Sequence, residues 1–213
     1  MKIKVITTEI KWISWEELKV LSEAGKLGEV LKSGDNIPVT LKNGEEVSFD
    51  IGKDESGKIY FIMHNCLKET KPMNKGWTNK GGWEESAMRK YLNEEVIELL
   101  PDGLKKVIKP TKIVQVWDGK RRETEDKLFL LSKTQVFGKD TNYEAIEPED
   151  SQIDIFGTER SRVKEREGYG TAWWWERSPS IYNGSYFRTV NSNGNSSGSN
   201  ANHSSGVAPA FCI

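Results

Sequence analysis

Cysteine is scarce: Cys66 and Cys212 are the only two in 213 residues. Two thiols build neither a disulfide framework nor a four-ligand zinc site, and spacing leaves open whether they pair with each other. Histidine is as scarce, with His64 and His203 alone. His64 and Cys66 stand two apart, but no further ligands cluster beside them, so ordinary strand-end packing is expected there. The N-terminus, Met1-Lys2-Ile3-Lys4-Val5, lacks the apolar stretch of a signal peptide. No run approaches the roughly 18 apolar residues of a membrane span. The expectation is a protein that is cytoplasmic as synthesised and has no membrane partner. Work outside a cell would then need lysis or carriage in a particle. An excess of one charge is also missing: 31 Lys and Arg face 32 Asp and Glu, for a formal net charge of -1. That balance offers no electrostatic footprint for nucleic acid.

The chain has the length of one domain, or somewhat more, and enough of it to bury a sizeable core. Eight Trp are heavy use and point to a Trp-rich core with polar handles. Ser14-Trp15-Glu16-Glu17 reads as a capping box opening a helix, with Trp15, Leu18 and Leu21 on one face and Gly25 closing it. This N-terminal helical extension, over 1–35, is expected to dock on the chain's own core. From Ile37 the period changes to two. Ile37–Leu41, Glu46–Ile51 and Lys58–Met63 read as a β-meander, with Asn43-Gly44 as a type I′ hairpin signal. Trp83–Asn93 reads as an amphipathic helix, followed by short helices around 94–100 and 104–108. Strands are expected at 112–117 and 127–131, and the charge run 120–126 between them as a solvated loop.

Charge then disappears. From Ser178 to the end the only charged side chain is Arg188, although 30% of the chain is charged. Three zones follow one another here. Trp173-Trp174-Trp175-Glu176-Arg177-Ser178-Pro179 and Gly206–Ile213 have the residue types of buried strands. Between them, 181–205 is built of Asn, Ser, Gly, Tyr and His and reads as a surface loop. One reading of that tract is a flexible polar linker. The other is a binding surface, since Tyr with Ser, Gly and Asn is the alphabet of antibody paratopes. An apolar segment follows the tract, so both of its ends are expected to be anchored.

The ordered set Trp83-Glu84-Glu85-Ser86-Ala87-Met88-Arg89-Lys90-Tyr91-Leu92-Asn93, Leu128-Phe129-Leu130-Leu131-Ser132, Trp174-Trp175-Glu176-Arg177-Ser178-Pro179 and Gly206-Val207-Ala208-Pro209-Ala210-Phe211 resembles a bacterial and phage family. Its members have a C-type-lectin-like fold and a "WWLRSP…GVRPA" ending, and many look like the variable proteins of diversity-generating retroelements. Three departures stand out. Trp173 extends the aromatic pair, Glu176 stands where Leu is common, and Ala208 stands where Arg is common. Glu176 puts a charge beside the aromatic strand, either at a rim or paired with Arg177.

The resemblance implies an α+β chain: a C-type-lectin-like fold of the formylglycine-generating-enzyme variant, with mixed small sheets and two or more short helices. That domain would span 36–213, with a variable region at 181–205. It further implies a non-enzymatic, receptor-binding protein, phage tail-associated or virion-associated, whose 3′ end is recopied with errors at template adenines. Asn-type template codons cannot yield Lys, Glu, Gln, Met or Trp, and none of those five occurs in 181–205. Ligand-facing positions would be Ile181, Tyr182, Asn183, Ser185, Tyr186, Thr189, Asn191, Asn193, Asn195, Ser197, Ser199, Asn200, Asn202, His203 and Ser204. Tyr182 and Tyr186 would be the best anchors. Phe187, Val190, Ala201 and Val207 would be inward framework. The partner would be a protein or glycan ligand, such as a cell-surface receptor.

Other motifs carry less. Glu147-Pro148-Glu149 is similar to the Glu-Pro-Asn motif of calcium-dependent lectins, but its Trp-Asn-Asp companion is missing. Calcium takes six to eight oxygen ligands, and the tract offers no carboxylate, so neither metal nor cofactor is expected. Asn183, Asn195 and Asn202 head Asn-x-Ser sequons that mean little without a secretory route. Two other functions stay open: a fixed-sequence adhesin or structural domain, and an oxidase of the formylglycine-generating type, which would need a copper-binding cysteine pair.

Overall fold

The computed structural model of the protein describes residues 2–5, 11–144 and 146–213. At the N-terminus β1 (Lys2–Val5) pairs antiparallel with β2 (Lys11–Ser14). The helix Trp15–Glu23 follows at once, started by the capping box read in the sequence. Ser14 Oγ accepts the Glu17 N–H at 3.1 Å, and Glu17 Oε2 accepts the Ser14 N–H at 2.7 Å. Gly25, at φ +70°, ends it, and Lys26 N–H reaches back to the Leu21 carbonyl at 2.8 Å. Residues 1–35 are thus partly strand, not a purely helical extension. They also share the main core: Ile3, Val5, Trp15, Leu18, Leu27 and Leu31 all join it, with Trp15 and Phe61 ring centroids 6.2 Å apart.

The meander forms as its period-two pattern dictates. β3 (Asn36–Thr40), β4 (Glu46–Lys53) and β5 (Ile59–Met63) pair in sequence, antiparallel. Its first turn differs from the type I′ expectation. Gly44 alone of the Asn43-Gly44 pair has positive φ, and Leu41 N–H closes on Glu45 O at 2.8 Å, which leaves a three-residue loop. The two-residue turn of the I′ kind lies elsewhere. β6 (Thr111–Trp117) joins β7 (Lys120–Asp126) through Asp118 at φ 53° and Gly119 at φ 70°.

β7 is the charge run expected to be a loop. Its Thr124 and Asp126 face inward, while Glu125 between them and Lys120, Arg121 and Glu123 before them face out. The ladder with β6 holds it, and one cross-strand ion pair, Lys112–Glu123 at 3.3 Å, adds to it. Of the stretch 127–131, expected as a strand, Lys127 is exposed and 128–131 are buried, and among the described residues it bridges only at Phe129 to Ala210.

The helix expected from Trp83 starts at Ala87. Ser86 Oγ accepts the Arg89 N–H at 3.1 Å and so sets the first turn. Trp83 lies before it, with its indole N–H on Asp126 Oδ2 at 2.8 Å. Ala87–Tyr91 then runs through a π-helical turn, Leu92–Val96, into Ile97–Leu99, so the short helix read at 94–100 is a continuation. Asp102–Val107 follows, as expected.

The C-terminal third supplies β8 (Lys164–Arg166), β9 (Gly170–Ala172), β10 (Trp174–Pro179), β11 (Tyr186–Val190), β12 (Ser196–Asn200) and β13 (Ala210–Phe211). β13 adds to β5 and completes the sheet β13-β5-β4-β3. There Phe211 stacks on Phe61 at 4.9 Å and meets Phe49 edge-on at 5.0 Å. β10, β11 and β12 form a separate antiparallel sheet, tied to the closing segment by Trp175 N–H on Gly206 O at 3.0 Å. A Cβ on Gly206 would fall 2.5 Å from Cys66 Sγ and 2.8 Å from Trp173 O, so only glycine fits where the closing segment crosses β10. The architecture is mixed α+β: several small antiparallel sheets and short helices. Among the described residues no helix is long and apolar enough to cross a membrane.

Candidate binding surface

The Asn- and Ser-rich tract is not a loop. Ten of its residues are the strands β11 and β12, paired from Tyr186↔Asn200 to Val190↔Ser196. Such residues are poor strand formers alone. Here they are carried by the neighbour: β11 buries Phe187 and Val190 and pairs with β10, all six residues of which are buried. Phe187, Val190, Ala201 and Val207 are each 0% exposed, which places all four expected framework residues inside.

Of the ligand-facing candidates, Tyr182, Asn183, Asn193, Asn195, His203 and Ser204 are exposed. Ile181, Ser185, Tyr186, Asn191, Ser197, Ser199, Asn200 and Asn202 are half-buried. Thr189 requires a correction. It sits between Trp175 and Ser197 on the same face of β11 as Phe187, and like Phe187 it is fully buried. Two candidates also hold the backbone. Asn191 Oδ1 accepts the N–H groups of Asn193 and Asn195 at 2.9 and 3.0 Å, which shapes the β11–β12 turn. Asn183 Oδ1 accepts the Ser185 N–H at 2.9 Å. At the same turn Gly194 has φ +81°, and a Cβ there would come 2.0 Å from the Glu159 carbonyl.

A residue the sequence reading missed positions the exposed Tyr182 loop. Asn79 is buried, and its Nδ2 donates to the carbonyls of Ser180, Asn183 and Tyr186 at 3.1, 3.0 and 2.9 Å. Its backbone N–H donates to the Gly184 carbonyl at 2.8 Å. One amide thus closes a turn a hundred residues away, and no local pattern around Asn79 signals it. Asn79→Ala is expected to cost about 2 kcal/mol, because it strands buried carbonyls. It should also speed amide exchange in 180–186 while leaving β5 protected. Unchanged exchange across 180–186 would refute the clamp.

Beneath the sheet lies a buried polar layer. Arg177 Nη1 donates to Leu130 O at 2.9 Å and to Gln135 Oε1 at 2.6 Å, and its Nη2 pairs with Asp150. Glu147 is taken up by Ser178 Oγ and by Thr134 Oγ1 at 2.7 Å. Burial, with Asp150 beside it, pushes the Glu147 carboxyl up. The Glu-Pro-Glu motif therefore has its first carboxylate inside the protein. Glu176 is neither at a rim nor paired with Arg177. It is 0% exposed, and among the described residues both of its oxygens lack a hydrogen-bond partner, as do Thr189 Oγ1 and Arg188 Nε. Burial pushes its carboxyl up to about 8, with Arg188 the largest opposing influence.

The two thiols are free and buried, so they do not pair with each other. Cys66 lines a cleft of about 720 Å³ between the β3–β4 turn and the β8–β9 hairpin. Burial pushes its thiol up to about 11. Cys212 lines a different cleft. His64 turns to Asp50, with Nδ1 2.7 Å from Oδ2. Among the described residues no group of three His, Cys, Asp or Glu is placed to hold a metal ion.

Comparison with curated proteins and with solved structures found no match in either. A family model described as "Domain of unknown function (DUF6273)" matches residues 57–213, from the β4–β5 turn through the candidate surface to the last residue. The match takes in well over half of the chain, and the protein belongs to the DUF6273 family.

Proposed function

We propose that this protein is a non-enzymatic ligand-binding module that contacts its partner through β11, β12 and the Tyr182 loop. One observation carries the reading: the apolar framework of the tract is fully buried while a face of Tyr, Asn, Ser and His, almost without charge, is turned outward. Tyr182 is 74% exposed on a loop pinned by Asn79, which gives a rigid aromatic on a fixed base. Anchors of that kind dominate interfaces. The finer fold belongs to this proposal too: a C-type-lectin-like arrangement, with the tract as the region diversified by a retroelement. The partner class is a protein or glycan on a cell surface, met by a phage or prophage receptor-binding protein.

A fixed-sequence adhesin is the second reading, favoured by Asn183 and Asn191, whose side chains serve the turns as well as facing out. An oxidase with a paired-cysteine metal site finds less support, since Cys66 and Cys212 line separate clefts. Sequencing the surrounding locus separates the first two. Expected is a template repeat beside a reverse-transcriptase gene, with Asn codons aligned to Ile181, Tyr182, Tyr186 and His203 and mismatches only at template adenines. A locus with neither, or with mismatches at other bases, leaves the fixed adhesin.

A further inference from the structure

Four lysines line one cleft, and none of the side chains that line it is a carboxylate. The cleft holds about 520 Å³, between the end of the helix Trp15–Glu23, the β4–β5 hairpin, residues 109–112 and the closing segment. Its lysines are Lys53, Lys58, Lys109 and Lys112, in a chain where acids and bases are nearly balanced. Lys112 is exposed and already engaged by Glu123 at 3.3 Å. The other three are half-buried, and among the described residues none has a carboxylate within 4.0 Å. Each ammonium is held by something neutral. Lys109 Nζ lies 3.4 Å from Ser22 Oγ, and Lys58 Nζ sits 5.1 Å above the Tyr60 ring. Lys53 Nζ rests against Gly28, where a Cβ would come within 3.3 Å of it. Leu27, Ile59 and Ile213 add apolar wall, and the Ile213 main-chain oxygen accepts from Ser22 Oγ.

Like charges gathered around a low-dielectric wall repel one another, and an anion bound among them relieves that repulsion. A carboxylate has two oxygens and one charge for three ammonium groups. A phosphate has more acceptors and up to two charges, and lysine binds it as a point charge. We propose that this cleft is a binding site for a phosphate group carried by a small molecule with an adjoining apolar part. It shares no residue with the candidate binding surface. The same chemistry could be presented as a free phosphate compound or as a lipid headgroup.

The test is isothermal titration of the full chain with inorganic pyrophosphate at low salt, beside flotation with phosphatidylcholine vesicles containing phosphatidic acid. The variants are Lys53→Gln/Lys109→Gln and, as a control of equal charge change per site, the exposed Lys75→Gln. Expected is saturable one-to-one pyrophosphate binding, weakened at least tenfold in the double variant and within twofold of wild type in the control. Vesicle flotation lost in the same double variant would identify a headgroup as the source, and no flotation a free phosphate compound. Absence of saturable binding, or equal weakening by Lys75→Gln, overturns the site. Circular dichroism melts of each variant separate lost binding from lost fold.

Discussion

Glu176→Leu is expected to stabilise the protein by on the order of 5–8 kcal/mol at pH 8, against the usual direction for a change in a core. The reason is the state of the native carboxyl. It is completely buried, its oxygens have no hydrogen-bond partner among the described residues, and burial pushes its pKa up to about 8. In the unfolded chain the same group titrates near about 4.3. An acid whose folded pKa is raised contributes stability at low pH and loses it as pH rises. Between pH ~4.3 and ~8 the unfolded state has released the proton and the folded state still holds it. Each unit of that window costs about 1.4 kcal/mol, so on the order of 5 kcal/mol is lost across it. Glu176→Gln should remove this slope, and Glu176→Leu should also remove the cost of an unpaired buried polar group, about 1–3 kcal/mol. Denaturant unfolding at about pH 5 and pH 8 measures both. The raised carboxyl of Glu147 tilts the wild type the same way, so the quantity to read is the difference between wild type and variant. A leucine variant less stable than wild type at pH 8 would show that Glu176 is in fact partnered and charged.

The second large effect separates the scaffold from the surface it carries. Trp174→Ala or Phe211→Ala should each cost about 3–5 kcal/mol, as large buried aromatics do. Trp174 is fully buried, stands 6.5 Å from Phe156, and donates its indole N–H to Arg162 O at 2.9 Å. Phe211 is the ring on which Phe49 and Phe61 meet. A loss of that size consumes much of the roughly 5–15 kcal/mol that holds a typical domain folded. Tyr182→Ser, on an exposed ring, should stay within about 0.5 kcal/mol. Thermal melts of the three variants decide it, and a comparable loss at Tyr182 would mean that the loop is part of the core.

Signals that act over a few residues were legible in the sequence. The Ser14 capping box, the meander and the buried aromatic strand all formed as the local chemistry requires. So did the inward set Phe187, Val190, Ala201 and Val207, because apolar side chains are driven from water wherever the chain puts them. What failed depended on partners distant in sequence. The charge run 120–126 became β7 because β6, with its β-branched and aromatic residues, pairs with it residue for residue, and the polar tract became β11 and β12 because β10 stands beside it. Asn79 is a clamp only because the fold brings three carbonyls from 180–186 to its amide. Glu176 lies in a strand whose every residue is enclosed, and the irregular pairing of β10 beside it is a tertiary matter. The lysines at 53, 58, 109 and 112 are unremarkable in sequence and converge only in space. Local conformational preferences amount to about a kcal/mol per residue, whereas pairing and burial of whole strands amount to many, so tertiary packing decides wherever the two conflict.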